Sequence, residues 1–277
     1  MKAEDVALVS AICRTRAGLK VAAEKTYLIE TRLGAVARRE GFEGVPELID
    51  AIRERREERV IWEAVEAMAA GETAFFRDRA PFQTLRDDIL PQLARARAGQ
   101  AVKVWSAACA TGQEVYSLAM LVDDLKVTEP ALRVELAASD LSSRALERAQ
   151  SGLYNQFEVQ RGLPIRQLTR HFENVDDNWR LSDAIRQMVR WRRINLIAGL
   201  AAVGRFDVVL CRYVLGGMTE DAQRKVLEDL TAVIPGDGCL VLGLDETVEG
   251  LAETFQPIVG RPGLYRRNPQ FRTEAAA

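Results

Sequence analysis

From about residue 81 onwards, short apolar runs alternate with amphipathic stretches, and this alternation limits the possible folds more than any other feature of the sequence. Strand patterns that alternate with helical patterns are typical of βαβ units, whose strands lie parallel in one sheet. We therefore predict an α/β fold with a doubly wound parallel sheet. The predicted strands are residues 102–106, 133–138, 206–210 and 239–244, and the predicted helices are residues 81–95, 114–125, 142–150 and 221–233.

The residues before this region have a different pattern. Apolar residues recur there at intervals of three and four, which is the spacing of one helix face, and glycines separate the periodic stretches. We predict an all-helical N-terminal domain at residues 1–79, followed by the α/β domain at residues 80–277. The predicted N-terminal helices are residues 4–16, 25–39, 46–55 and 57–70.

Between about residues 152 and 193 the chain departs from the strand–helix alternation. The stretch FENVDDNWRL places the turn residues Asp177 and Asn178 between two short alternating segments, and MVRWRRINL follows at residues 188–196. Turn residues between alternating segments are typical of an antiparallel hairpin. We predict a small antiparallel β insertion in the α/β domain at about residues 152–193.

The charge balance and the short apolar runs exclude some classes of partner. The chain has 38 Lys and Arg against 40 Asp and Glu, so it has no general positive field to attract DNA or RNA. The apolar runs are much shorter than the roughly 20 residues that span a bilayer, and the N-terminus has acids where a signal peptide is apolar. We expect a cytoplasmic protein with no nucleic-acid partner and no membrane insertion.

The cysteines and the histidine argue against several kinds of site. The four cysteines are widely spaced without a CxxC pair, which favours buried free thiols over a disulfide framework or a zinc site. His171 is the single histidine, so a site that needs several histidines cannot form. We expect no metal, and a reaction that depends little on proton transfer.

The segment KVWSAACATGQEVYSLAM (103–120) has the pattern of a ligand-binding turn. A buried strand leads into small residues from Ala107 to Gly112, and a helix then begins with Gln113 and Glu114. Small residues at the carboxyl end of a strand let a ligand approach the backbone. Because Gly112 is the only glycine in the loop, the GxGxxG pattern for a pyrophosphate is missing, and a nucleoside without phosphates fits better.

Asp140 follows the second predicted strand, where its carboxylate could accept hydrogen bonds from ribose hydroxyls. It could equally cap the helix that begins near Ser142, since Asp is a common N-cap residue. The sequence alone leaves both roles open.

Several segments occur in an order that resembles one family of enzymes. Together, over nearly the whole chain, they are similar to the chemotaxis receptor glutamate O-methyltransferases. One such segment is a weak signal, but several in the same order are specific. The segments are GETAFFRD (71–78), WSAACATGQEVYSLAM (105–120), ASDLSSRALERAQSGLY (138–154), RGLP (161–164), RINLI (193–197), FDVVLCR (206–212) and the pattern LxLGxxExVxGL (240–251).

The resemblance implies a fold and a reaction. The fold is a Rossmann-like methyltransferase sheet, preceded by a helical domain and interrupted by a small β insertion. The cofactor is S-adenosylmethionine and the product is S-adenosylhomocysteine. The methyl group goes to glutamate carboxylates on the cytoplasmic helices of chemoreceptors, giving methyl esters in chemotaxis adaptation.

The resemblance also assigns roles to residues. Thr73 and Arg77 hold the methionine end of the cofactor, and Arg212 lies beside the transferred methyl group. We therefore expect Arg77 and Arg212 to be catalytic. Glu114 and Asp140 hold the amino group and the ribose side of the cofactor. The full cofactor-binding set is Thr73, Arg77, Ala107, Glu114, Asp140, Asn195, Leu196, Arg212 and Tyr213, of which Asn195 and Leu196 are assigned to the adenine.

Three positions depart from the family pattern. Gly71 stands where members have Asn before the Glu-Thr pair, and Tyr213 and Gly217 stand where members have Asn and Tyr after the arginine. A tyrosine lost beside the reacting centre removes a hydrogen-bond donor and a ring that excludes water. A second function therefore stays open: a catalytically weakened homologue that binds S-adenosylmethionine or S-adenosylhomocysteine as a regulatory or scaffold module.

Two features bear on the receptor as a partner. Arginines of the helical domain offer a dock for acidic receptor helices, although neighbouring acids make a solvated face the simpler interpretation for most of them. The β insertion either binds a C-terminal tail peptide of the receptor by strand addition or only covers the pocket. The arginines are Arg14, Arg16, Arg32, Arg38 and Arg39.

Overall fold

The computed structural model of the chain describes residues 1–22, 24, 26–55 and 57–271. They form two compact units. The first comprises Met1–Gly71 and Gly216–Lys225, and the second comprises Glu72–Leu215 and the chain from Val226 onwards. None of the described helices is long and apolar enough to cross a membrane.

The first unit contains four N-terminal helices, in agreement with the periodicity of its sequence. They are α1 (Ala3–Ala17), α2 (Thr26–Glu40), α3 (Val45–Arg55) and α4 (Glu58–Ala69). On α2, Ile29, Leu33 and Val36 are buried and recur at helical spacing, so one stripe of the helix lies in the core. Lys25, the predicted start of the second helix, lies outside the described residues.

Three of the five candidate docking arginines make contacts within the first unit. Arg16 pairs with Glu58 on α4 at 2.5 Å, and Arg39 pairs with Glu63 on the same helix. Arg32 donates to two carbonyl oxygens at the end of α4, at 2.5 and 2.7 Å. These contacts join α1 and α2 to α4, so a structural role accounts for these three side chains.

The second unit contains two sheets. Its strands are β1 (Val102–Ala107), β2 (Val134–Asp140), β3 (Leu153–Asn155), β4 (Phe172–Val175), β5 (Asn178–Leu181), β6 (Val189–Arg193), β7 (Val208–Leu210), β8 (Cys239–Val241), β9 (Phe255–Pro257) and β10 (Leu264–Arg267). The main sheet has the order β6-β2-β1-β7-β8-β10-β9, parallel from β6 to β8 and antiparallel around β10. The chain leaves β1 on one side and returns on the other, so the predicted doubly wound α/β fold is confirmed.

The most deeply buried helix of the second unit follows β1. This helix, α7 (Gln113–Thr128), buries ten of its 16 residues, so its first turn is held firmly at the edge of the sheet. The helices after α4 are α5 (Arg79–Thr84), α6 (Leu90–Ala96), α7 (Gln113–Thr128), α8 (Ser143–Ser151), α9 (Gln156–Gln160), α10 (Ile165–His171), α11 (Asp183–Arg186) and α12 (Glu220–Val233).

The predicted burial of the cysteines is confirmed. Cys13, Cys109, Cys211 and Cys239 are all buried with free thiols. Burial disfavours the thiolate and raises the pKa of both Cys13 and Cys239 to about 12. These thiols are therefore protonated, inert core residues at neutral pH.

The antiparallel insertion is present, but one segment assigned to it lies elsewhere. Strands β3, β5 and β4 form a separate three-stranded antiparallel sheet. The segment MVRWRRINL, however, supplies β6, which pairs in parallel with β2 at the edge of the main sheet. A short alternating run looks the same in a hairpin and at the edge of a parallel sheet, so its partner strand was not predictable from its own sequence.

Candidate active site at the carboxyl ends of the strands

The carboxyl ends of β1, β2 and β7 meet where the strand order reverses. β1 lies between β2 and β7, and the connections leave it in opposite directions. Open α/β sheets bind ligands in the crevice at such a point. Ala107 and Asp140 are the last residues of β1 and β2, and Arg212 lies just beyond β7. Three of the sequence-predicted site residues are therefore at this edge.

The loop after β1 is held by backbone hydrogen bonds to the end of β2. Cys109 N–H donates to the carbonyl of Ser139 at 2.8 Å, and Ala110 N–H donates to Oδ2 of Asp140 at 2.8 Å. Ala108 and Ala110 have φ values of 55° and 49°, in the left-handed region that costs an L-residue roughly 1–2 kcal/mol. These hydrogen bonds therefore sustain a strained turn with small side chains.

Gly112 ends this loop and is the N-cap residue of α7, with φ at 90°. A Cβ atom at this position would lie 2.9 Å from Cβ of Ala149 and 3.3 Å from the rings of Trp191 and Tyr116. The close approach and the positive φ both require glycine here. The single glycine of the loop therefore seats the turn against α8 and β6.

The Asp140 carboxylate holds the loop, and another residue caps the next helix. Oδ1 of Asp140 accepts from Ser142 N–H at 2.9 Å, while Oδ2 of Asp140 accepts from Ala110 N–H. The N-cap of α8 is Ser142, whose Oγ accepts from Ala145 N–H at 3.2 Å. The helix-cap alternative for Asp140 is therefore wrong. Burial raises the pKa of Asp140 above its ordinary value of 3.8, against the opposing effect of its N–H donors.

Asn195 and Leu196 lie beside Asp140. They follow β6, the neighbour of β2, and Ile194 N–H donates to the Asp140 carbonyl at 3.0 Å. Asn195 Oδ1 accepts from Ile197 N–H at 3.3 Å, and Leu196 is buried. The predicted ribose and adenine residues are thus brought to one edge of the sheet.

Arg212 is the centre of a second group, on the other side of β1. Its side chain is 1% exposed, and Nη1 donates to Glu114 Oε2 at 2.7 Å. Nη2 donates to Asp78 Oδ2 at 2.7 Å and to the Arg77 carbonyl at 2.9 Å. The other Glu114 oxygen, Oε1, accepts from Ser106 Oγ at 3.0 Å. One buried cation therefore joins two carboxylates from distant parts of the chain.

Tyr213 lies against the same group. Its hydroxyl donates to Asp78 Oδ2, and the guanidinium carbon of Arg77 lies 3.4 Å from its ring centroid. Its backbone has φ at 59°, and its N–H donates to Glu246 Oε2 at 2.6 Å. A Cβ atom on Gly243 would lie 2.7 Å from the Tyr213 ring, so the glycine leaves room for it. Tyr213 thus has one well-defined position beneath Arg77.

The segment that carries Arg77 is anchored by the aromatic residues before it. Phe75 is fully buried and meets Tyr154 edge to face, with the ring centroids 5.0 Å apart. Phe76 N–H donates to Ser117 Oγ on α7 at 2.9 Å. A Cβ atom on Gly162 would lie 2.1 Å from the Phe75 carbonyl oxygen, which explains the glycine of the RGLP segment.

The predicted residues fall into two groups joined by the loop after β1. Thr73 lies four positions before Arg77, and within the described part of the chain no hydrogen bond of its hydroxyl joins it to either group. Four further residues complete the second group and had no predicted role, although all four lie in the segments that carry the family resemblance. The two groups are Ala107, Asp140, Asn195 and Leu196, and Arg77, Glu114, Arg212 and Tyr213; the residues that were missed are Asp78, Ser106, Gly243 and Glu246.

The donors and acceptors of these groups suit an adenosyl amino acid. The first group offers a carboxylate beside a tight turn of small residues, as a nucleoside without phosphates requires. The second group offers acceptor oxygens on Glu114 and a guanidinium on Arg77, as a zwitterionic amino acid requires. Arg212 Nε is buried without a hydrogen-bond partner among the described residues, so one donor there is still unsatisfied.

The chain is similar to chemotaxis methyltransferases over most of its length. Residues 71–263 match the family model described as "CheR methyltransferase, SAM binding domain". The chain is 33% identical to "Chemotaxis protein methyltransferase 1" of Pseudomonas aeruginosa, over 95% of this chain and 97% of that protein. It is 31% identical to "Chemotaxis protein methyltransferase Cher2" of Pseudomonas putida, over 89% and 91% of the two chains. The family match includes all nine of the predicted site residues.

Proposed function

Because the chain belongs to the CheR methyltransferase family, its cofactor is S-adenosylmethionine, and we propose that it methylates glutamate side chains on the cytoplasmic helices of chemoreceptors. The observation that carries this proposal is the group around Arg212, where Arg77, Asp78, Glu114 and Tyr213 are joined by direct contacts. A protein that used the fold only for binding adenosine would not need this charged group.

The reaction needs no general base. Bound S-adenosylmethionine supplies a sulfonium methyl group, and transfer to a carboxylate oxygen breaks the methyl–sulfur bond, leaves its electron pair on sulfur and gives S-adenosylhomocysteine and a neutral ester. A glutamate with a pKa of about 4.3 is already ionised at pH 7. The chain then has only to orient the carboxylate and exclude water. A chain with a single histidine, in α10 of the second unit, is compatible with that demand.

Each group has a proposed part in holding the cofactor. Arg77 binds the methionine carboxylate, since its guanidinium makes one hydrogen bond, to the Glu72 carbonyl at 3.1 Å, and has further donors for a carboxylate. Glu114 accepts from the amino group, and Asp140 accepts from the ribose hydroxyls. Asn195 and Leu196 lie at the adenine, beside Asp140, and Thr73 supplements Arg77.

The contacts of Arg212 support a positioning role. Its two terminal nitrogens are used by Glu114, Asp78 and the Arg77 carbonyl, so it fixes the groups that hold the methionine end. Without this cation, two carboxylates would face each other in a poorly solvated place. A position of Arg212 beside the transferred methyl group stays a prediction of the family resemblance.

The product changes the charge of the receptor. Each methylation replaces a carboxylate with a neutral ester, which lowers repulsion among acidic helices and shifts a signalling equilibrium. We propose that the helical part of the chain, residues 1–79, docks on those helices. Arg14 and Arg38 are exposed, and among the described residues neither has an ion-pair partner, so they are better candidates for docking than the three arginines held by α4.

The β insertion has a second proposed contact with the receptor. β3 and β4 are the two edges of its antiparallel sheet, and an edge strand can pair with an extended peptide. A receptor C-terminal tail peptide is the proposed occupant. If the peptide does not bind at high micromolar concentration, the insertion only covers the pocket.

The test separates the enzyme from the weakened homologue. Tritiated methyl incorporation into receptor cytoplasmic fragments is measured beside S-adenosylhomocysteine affinity by calorimetry. The enzyme is expected to label the fragments, with the label lost in base as a methyl ester. Cofactor binding without incorporation into any receptor fragment would favour the regulatory or scaffold module, for which the glycine at position 217 is the specific observation.

A further inference from the structure

We propose that Tyr213 is a positioning residue, which keeps the Arg77 guanidinium available for a carboxylate ligand by engaging Asp78, the acidic neighbour of Arg77. This inference rests on the proposed function in one respect, the assignment of Arg77 to the methionine carboxylate of the cofactor. It concerns a position at which the sequence departs from the family pattern.

Arg77 and Asp78 are adjacent and opposite in charge, yet they do not form an ion pair. Asp78 Oδ2 instead accepts hydrogen bonds from Arg212 at 2.7 Å and from the Tyr213 hydroxyl. Among the described residues, Arg77 has no carboxylate partner. A guanidinium already paired with Asp78 would have to break that pair before it could bind another carboxylate. The engagement of Asp78 removes this competition.

The ring of Tyr213 also orients the guanidinium. The guanidinium carbon lies 3.4 Å from the ring centroid, which is a stacking contact. Stacking uses the face of the planar guanidinium and leaves its in-plane N–H groups for a bidentate pair with a carboxylate. The same side chain thus holds Arg77 by its ring and Asp78 by its hydroxyl.

The backbone is built to hold Tyr213 in this position. A residue other than glycine with positive φ is uncommon, and at Tyr213 it is supported by the 2.6 Å hydrogen bond from its N–H to Glu246. Glu246 Oε2 also accepts from Gly243 N–H at 2.9 Å, and Gly243 has no side chain to displace the ring. These contacts together fix the Tyr213 ring against Arg77 and its hydroxyl on Asp78.

The test compares two ligands in three variants. S-adenosylhomocysteine carries the amino acid carboxylate, and 5′-methylthioadenosine has the same nucleoside and thioether without it. The Tyr213→Phe variant keeps the ring but removes one of the two donors that hold the Asp78 carboxylate, the other being Arg212. The carboxylate can then compete for Arg77, so affinity for S-adenosylhomocysteine is expected to fall about tenfold, the size of one charged hydrogen bond. Affinity for 5′-methylthioadenosine is expected to stay within twofold. Both are measured by calorimetry.

A double variant tests the competition directly. In Tyr213→Phe with Asp78→Asn, the competing charge is gone while the amide oxygen can still accept from Arg212, so S-adenosylhomocysteine affinity is expected to recover most of the tenfold loss. Tyr265→Phe is the matched control, because the Tyr265 hydroxyl donates to the Glu246 carbonyl at 3.1 Å without contacting Arg77. Melting temperatures of all variants report whether the fold is intact.

Two results would overturn the inference. Equal loss of affinity for both ligands in Tyr213→Phe would mean that the hydroxyl only shapes the pocket. A double variant no tighter than the single one would mean that Asp78 does not compete for Arg77. The proposed function is tested separately, by receptor methylation with the unaltered chain, and neither of these results bears on it. If that methylation failed, the comparison of the two ligands would still test the role of Tyr213.

Discussion

The two halves of the candidate site are held together in different ways. The half at the end of β2 is built from local backbone hydrogen bonds: Asp140 accepts from the N–H groups of Ala110 and Ser142, and small residues form the turn. The half around Arg212 is built from side-chain charges, with partners 98 and 134 positions away along the chain. Local backbone geometry is visible in a strand–loop–helix pattern, whereas distant charge pairs depend on the complete fold.

The largest expected effect is in the charged half. The Arg212→Met variant lacks the buried cation between Glu114 and Asp78, so both carboxylates lose their arginine partner. Breaking a buried ion pair on one side costs about 3–5 kcal/mol, so the free energy of unfolding in urea is expected to fall by that amount and calorimetry to show no S-adenosylhomocysteine binding. Circular dichroism follows the unfolding.

The control for this variant is an exposed arginine with a carboxylate partner. Arg148 pairs with Glu158 at 2.8 Å and is 49% exposed, so Arg148→Met is expected to cost less than about 1 kcal/mol. Equal losses in the two variants would show that the charged half is not organised around Arg212.

In the half at the end of β2, built from backbone hydrogen bonds, steric overlap is expected to lower the free energy of unfolding. Gly112→Ala adds a Cβ atom 2.9 Å from Ala149 at a positive φ, and left-handed strain with overpacking together cost about 2–4 kcal/mol. Gly99→Ala has a similar φ of 88° with nothing within 4 Å of the added atom, so only the strain of about 1 kcal/mol is expected. The difference between their urea midpoints isolates the close approach, and equal midpoints would refute it.

The sequence predicted the two halves to different extents. Strands β1, β2, β7 and β8 and the small-residue turn followed from apolar runs and loop composition. Asp140 was proposed from its place after the second predicted strand, whereas Asn195 was assigned only by the family resemblance, because the strand before it, β6, was expected in the antiparallel insertion. Asp78 and Glu246 were missed because each acts on a partner brought close only by the complete fold. The sequence also showed that Tyr213 departs from the family pattern, but not that Gly243 makes room for it.

Lowering the pH is expected to weaken cofactor binding through Asp140, which belongs to the half at the end of β2. Because burial raises the pKa of Asp140, this carboxylate takes up a proton at a higher pH than an ordinary aspartate. Ribose hydroxyls need the ionised form as acceptor, so S-adenosylhomocysteine affinity is expected to fall as the pH drops through that raised pKa. The effect on stability has the opposite sign: the folded chain binds the proton more tightly than the unfolded chain, so protonation of Asp140 favours folding.

The variant that checks this assignment is Asp140→Asn. Its affinity at pH 7 is expected to be roughly tenfold weaker, as for a lost hydrogen bond to a charged group, and nearly constant through the acid range where the unaltered chain weakens. Calorimetric titrations in a series of buffers measure both. An acid dependence that survives in the variant would assign the titration to another group.

The smallest expected effect lies where the halves meet, at Ser106, one residue before the end of β1. Its Oγ donates to Glu114 Oε1 at 3.0 Å, so Ser106→Ala leaves Glu114 with Arg212 alone and is expected to weaken S-adenosylhomocysteine binding about three- to tenfold. Ser142→Ala removes the N-cap of α8 in the backbone half and is expected to cost about 1 kcal/mol of stability with less effect on binding. The reverse result would be a loss of stability without a loss of binding in Ser106→Ala, and a loss of binding in Ser142→Ala. It would mean that the hydrogen bond from Ser106 to Glu114 does not contribute to binding of the amino acid end of the cofactor, since this bond is the only contact through which Ser106 is proposed to act.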